Sequence, residues 1–169
     1  MVNLLVAIHA IAGILAIFAF LFVFIELLSS AEKTIKRIQI FAYMGTILIF
    51  ISWIVGGYYY VNYYGPNVKP IIKQGSTPWV HSVIMETKEH VFLFLPFLAL
   101  SVFLITFLLP GVMTREKNLK TAVAFLAFAA QSIALVVAVA TVIFGGMNDS
   151  IISPVRTTLV GCWYNDSTM

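Results

Sequence analysis

The sequence predicts an all-α fold, a four-helix transmembrane bundle running up-down-up-down with both termini outward. Three observations predict it. The chain is 169 residues long, 61% hydrophobic and only 10% charged, with a mean hydropathy of +1.00, whereas a soluble domain carries about 25% charged residues. Its charges are grouped: residues 2–25, 38–68, 90–114 and 121–148 carry none. A helix needs roughly 20 apolar residues to cross a bilayer, so each charge-free stretch is long enough for one span. The four spans fall near 3–28, 38–60, 79–109 and 121–145, making 1–146 the bundle and 147–169 an outward-facing C-terminal tail.

The first span has no basic segment before it, and its apolar run far exceeds the 7–15 residues of a signal-peptide core, so it reads as a retained helix. The connection after it, Ala31 to Arg37, and the third connection, Thr114 to Lys120, hold three Lys/Arg each. The second holds only Lys69 and Lys73, and the tail only Arg156. Basic residues favour cytoplasmic loops, which sets the orientation. Within the first span, Glu26 is expected to snorkel or to pair with Lys33.

The second span ends in Trp53, Tyr58, Tyr59, Tyr60, Tyr63 and Tyr64, an interfacial aromatic belt. Tyr64-Gly65-Pro66-Asn67 reads as a turn. Thr77 caps the third helix, with Pro78 at its first position and Trp79 following. A helix from Pro78 to Leu109 is roughly 48 Å long at 1.5 Å per residue, against a hydrocarbon thickness of about 30 Å. Its first dozen residues, with His81, Glu86, Lys88, Glu89 and His90, therefore sit at the headgroups or beyond. Pro96 should kink this helix. Gln131, Ser52, Ser101 and Thr141 read as contacts between helices.

A faint repeat relates the halves. Glu32–Lys36 matches Glu116–Lys120 at an offset of 84, Gly56-Gly57 has a counterpart in Gly145-Gly146, and His9 maps onto Leu93. Two helical hairpins in parallel repeat give such a pattern.

The candidate chemistry lies in histidines. His9 stands 19 residues before Leu28 and His90 stands 19 residues before Leu109, so parallel helices put them at one depth near the outer face. Histidine inside a membrane marks a cofactor, an ion path or a polar contact. His81 and His90 are nine apart and face opposite sides of a regular helix, His81 pairing with Met85 and Glu86 with His90 at i,i+4. Three readings follow. In the first, His9 and His90 are axial ligands of one haem b, with Ala10, Ala12, Gly13 and Ala16 admitting the ring. In the second, His9, Glu86 and His90, with Glu89, hold copper or iron. In the third these residues only bond within the bundle. The single Cys162 excludes a thiol-pair redox site. The short basic loops beside spans do not suggest nucleic acid.

The layout, carried by His9, His90 and the stretch His81 to His90, resembles small four-helix b-type cytochromes and the related anchors of respiratory complexes. It is also similar to small four-span proteins that assist cytochrome oxidase assembly. The resemblance covers residues 3–145 as architecture. It implies an integral, multi-pass protein of a prokaryotic cytoplasmic membrane that exchanges electrons with a partner subunit or a quinone. Three histidines allow at most one bis-histidine haem.

Overall fold

In the computed structural model, residues 2–29, 35–75 and 78–165 are described. They form α1 (Val2–Leu28), α2 (Ile35–Tyr59), a π-helical segment (Tyr60–Val68), α3 (Lys69–Gln74), a second π-helical segment (Val80–Met85), α4 (Glu86–Leu108), α5 (Pro110–Arg115) and α6 (Lys117–Asn165). No strand occurs among the described residues. Four stretches are long and apolar enough to cross a membrane: Leu4–Leu28, Ile35–Gln74, His81–Leu108 and Lys117–Ala140. They agree with the predicted spans in number and order, and the second runs on to Gln74, past its predicted end near residue 60.

The helices close a ring. α1 packs on α2 and α6, and α4 packs on α2 and α6, which leaves α1 and α4 on a diagonal. Lipid offers no hydrophobic drive between helices, so close backbone approach and dispersion must hold them. The core accordingly stacks small residues, Ala16, Ala42, Ala99, Ala127 and Ala130, around Phe20, Ile49 and Leu95. Gly45 is one such approach, since a methyl there would come within 3.0 Å of the Phe20 ring. Outward side chains such as Phe94, Phe97, Phe125 and Val142 are apolar and exposed, as a lipid-facing surface requires.

Polar contacts tie the helices together. Thr46 Oγ1 donates to Ala42 O at 2.7 Å and to Ala99 O at 3.1 Å, joining α2 to α4. Gln39 Nε2 donates to Thr106 O at 3.0 Å. Glu26 pairs with Arg37 at 3.2 Å; its expected partner Lys33 lies outside the described residues, as does the Thr77 cap. Ser101 bonds back to Phe97 O in its own helix rather than across the bundle.

The predicted turn at Tyr64–Asn67 is not a turn. The chain continues helically from Ile35 to Gln74 through a wide π-helical stretch. Pro66 lacks an N–H and would break α-helical bonding. The wider register accommodates it, and Lys69 N–H reaches back five residues to Tyr64 O. Tyr64, buried with Ile72 and Met85, anchors this stretch. Pro96 lies buried inside α4. Helical backbone runs through Gly145-Gly146 to Asn165, beyond the expected end of the fourth span. The tail's side chains, Cys162 included, lie outside the described residues.

Candidate functional site: an aromatic cleft at the histidine end

α1, α2 with its π-helical extension, and α4 enclose a cleft of about 490 Å³, a size typical of small-molecule sites. Its walls are aromatic and aliphatic, among them Trp53, Tyr58, Tyr59 and Phe92. Ile54, Val61 and Leu93 stand more than half exposed at its rim, so it opens on the flank of the bundle. Its polar groups are few: His9, Lys88, Glu89 and the Tyr60 hydroxyl, which lies beside the Glu89 carboxylate. One Glu89 oxygen is buried without a hydrogen-bond partner.

His9 is held on one side only. Its Nδ1 lies 2.8 Å from Ser52 O, and the Ser52 hydroxyl donates to His9 O at 3.0 Å. A carbonyl can only accept, so Nδ1 carries the hydrogen and Nε2 carries the lone pair. Phe92 meets the ring edge-on at 5.8 Å between centroids. Gly56 completes the seat: a methyl at this position would fall 2.6 Å from His9 Nδ1. Gly57, one residue on, faces open space and leaves the cleft wall bare. An imidazole whose Nδ1–H is fixed by a backbone carbonyl has the tautomer and orientation of a metal-ligating histidine.

The predicted partners separate. His9 and Glu89 line the cleft; Glu86 and His90 do not. His9 meets Phe92, two residues along α4 from His90, so the predicted equality of depth holds to about 3 Å. Azimuth is what divides them: His90 points roughly 130° away from the mean direction of Lys88, Glu89, Phe92 and Leu93 at 100° per residue. It is exposed, and its Nδ1 bonds Glu86 O one turn back at 2.6 Å, so the expected i,i+4 pair uses the backbone carbonyl and not the carboxylate. No group of three or more His, Cys, Asp or Glu able to hold a metal occurs among the described residues.

A second polar cluster, which sequence reasoning missed, lies next to the cleft. His81 is fully buried, with Nδ1 2.9 Å from Tyr64 Oη and Nε2 3.7 Å from Glu86 Oε1. Residues 80–85 are π-helical rather than α-helical. Glu86 N–H bonds His81 O five residues back, which brings residue i+5 under residue i. Proline and aromatic residues gave a turn and a belt; only the three-dimensional meeting of two wide turns shows this pair. Ser52, read as a generic helix contact, proves to be the group that seats His9.

The haem b reading can be tested on these residues. The cleft offers a nitrogen ligand with a fixed tautomer, apolar walls with a bare glycine surface, and the Lys88 amine as a partner for a carboxylate. These fit the group through one protein ligand, His9, while His90 contributes nothing to the cleft. No protein-family model, no curated protein and no solved structure matches this chain.

Proposed function

We propose that the protein is a small membrane redox protein whose cleft holds one flat, largely apolar group, haem b, with His9 as its protein ligand. The observation that carries this reading is the His9 seat: Nδ1 anchored to Ser52 O at 2.8 Å while the ring borders an aromatic cleft. Haem b, when bound, supplies a one-electron carrier. The chain's own residues do the rest: Ser52 and Gly56 fix the imidazole, Trp53 and Phe92 exclude water, and Lys88 offers a cation for a propionate. Electrons would come from a partner subunit or a membrane carrier. With the basic connections on the cytoplasmic side, the cleft lies at the outer face.

A second reading has an observation of its own. Tyr60 and Glu89 give the cleft a hydroxyl donor and an unpartnered acceptor that a haem does not need. A quinone head uses both over its cycle, the donor for a carbonyl oxygen of the quinone and the acceptor for a hydroxyl of the quinol. Absorption spectra of purified protein, oxidised and dithionite-reduced, separate the two. A Soret band that disappears in His9→Ala and persists in His90→Ala supports haem on His9. A featureless spectrum from cells supplied with haem, together with quinone in the organic extract, replaces it with the second reading.

A further inference from the structure

Two stretches of π-helix are unusual in a chain this size, because such turns are rare and recur at functional sites. Here they face each other. Tyr64 O receives the wide bond of the first and His81 O that of the second, and the side chains of these two residues meet at 2.9 Å. The wide register also swings Glu86 beneath His81.

His81 is the most buried ionisable side chain among the described residues, at 0% exposure. A histidine buried merely to pack would have both nitrogens satisfied. This one has Nδ1 on Tyr64, while Nε2 has no hydrogen bond and faces a carboxylate oxygen at 3.7 Å. That carboxylate is 45% exposed at the end of the bundle. On the inner side, the Tyr64 ring stacks on Tyr60 at 5.2 Å, and Tyr60 lines the cleft beside Glu89. Lys69 and Lys73 of α3 and Glu86 and Glu89 of α4 are the charged groups around His81. The order from the end of the bundle to the cleft is therefore acid, imidazole, phenol, phenol, acid.

We propose that Glu86, His81 and Tyr64 form a proton path from the end of the bundle to the cleft. Its purpose rests on the redox reading above, since a group that gains an electron beside Glu89 attracts a proton. Protonated Glu86 swings in to close the 3.7 Å gap and gives its proton to His81 Nε2. His81 releases the Nδ1 hydrogen to Tyr64 Oη as Tyr64 passes its own hydrogen, by way of the Tyr60 hydroxyl, to the Glu89 carboxylate. One proton moves from Glu86 to Glu89, both tyrosines end as neutral phenols, and the imidazole is left with its hydrogen on Nε2. Glu86 and His81 act as positioning and carrier groups and touch nothing in the cleft.

The test uses the full chain in lipid nanodiscs with 15N-labelled histidine, and reads exchange of the His81 ring N–H with bulk water by NMR. Glu86 is half exposed, so Glu86→Gln should fold; it should slow that exchange at least tenfold, and Glu86→Asp should restore part of it. Equal exchange in wild type and Glu86→Gln would overturn the path and leave His81 as a structural clamp. A second measurement follows proton uptake with a pH dye after photoreduction of the haem-loaded protein. Glu86→Gln should slow uptake tenfold with an unchanged absorption spectrum, and unchanged uptake would again overturn the path. If the spectrum shows no haem, the redox reading fails, while the NMR experiment still decides the path.

Discussion

Gly56→Ala is the sharpest perturbation of the His9 seat. The added methyl would stand 2.6 Å from Nδ1 and 2.8 Å from Cε1 of His9. Ordinary contact begins at 3.4 Å, so the ring must retreat by about 0.8 Å. Ser52 lies one turn earlier on the same helix, so retreat from Gly56 stretches the 2.8 Å bond to Ser52 O toward about 3.6 Å, beyond hydrogen-bond range. Losing a buried bond or overpacking the seat costs about 1–3 kcal/mol, or roughly 5- to 150-fold in affinity. Gly57→Ala is the control, because a methyl there meets nothing within 4 Å. Hemin titration of the cofactor-free protein in detergent gives the affinity from the Soret change. Unfolding of the same samples without hemin gives the stability of the α1–α2 seat by itself. Gly56→Ala should lose on both counts, and Gly57→Ala should unfold as the wild type does. If the two variants bind hemin alike and unfold alike, the one-sided anchoring of His9 is not what builds the site.

Three further outcomes are expected. Ser52→Ala removes the hydroxyl that donates to His9 O at 3.0 Å but keeps the carbonyl that fixes Nδ1; it should weaken hemin binding less than Gly56→Ala, by the same titration. Lys88→Met and Glu89→Gln should each leave a Soret band in place, whereas tenfold weaker quinone binding in Glu89→Gln, measured by quinone-analogue fluorescence quenching, would favour the second reading. Thr46→Val deletes the bond between α2 and α4 to Ala99 O and should destabilise the bundle by only about 0.6 kcal/mol, read from steric-trap or denaturant unfolding. A loss of several kcal/mol would mean that Thr46 carries more than this contact.

What was legible in the sequence was whatever depends on one helix at a time. Charge-free runs mark the spans, because a charge in hydrocarbon is costly wherever the other helices lie. Depth was legible too: counting residues to Leu28 and Leu109 put His9 level with α4 near His90, and Phe92 meets it. Azimuth was not. Which side of α4 faces α1 depends on how all four helices close, and the apolar residues around each span give no stripe to orient it, since lipid and core are equally apolar. The π-helical segments hid the rest. A rule of i and i+4 assigns His81 to Met85, but a single widened turn moves its partner to Glu86. Tyr64 looked like one more interfacial ring because its role depends on a histidine 17 residues away.

The reciprocal bonds between His9 and Ser52 have a consequence for the life of the chain in its membrane. The residues that pair α1 with α2 at this end are those that hold the His9 imidazole at the cleft wall. If the cleft holds the proposed haem, helix pairing and haem loading are a single equilibrium, and occupancy adds RT ln(1 + [L]/Kd) to the hold between the two helices. Without that contribution the hold between α1 and α2 at this end is weaker. A membrane protease that pulls on that end would thereby sort empty copies from filled ones with no receptor for the cofactor, and pulse-chase lifetimes of wild type and His9→Ala under haem starvation would show whether it does.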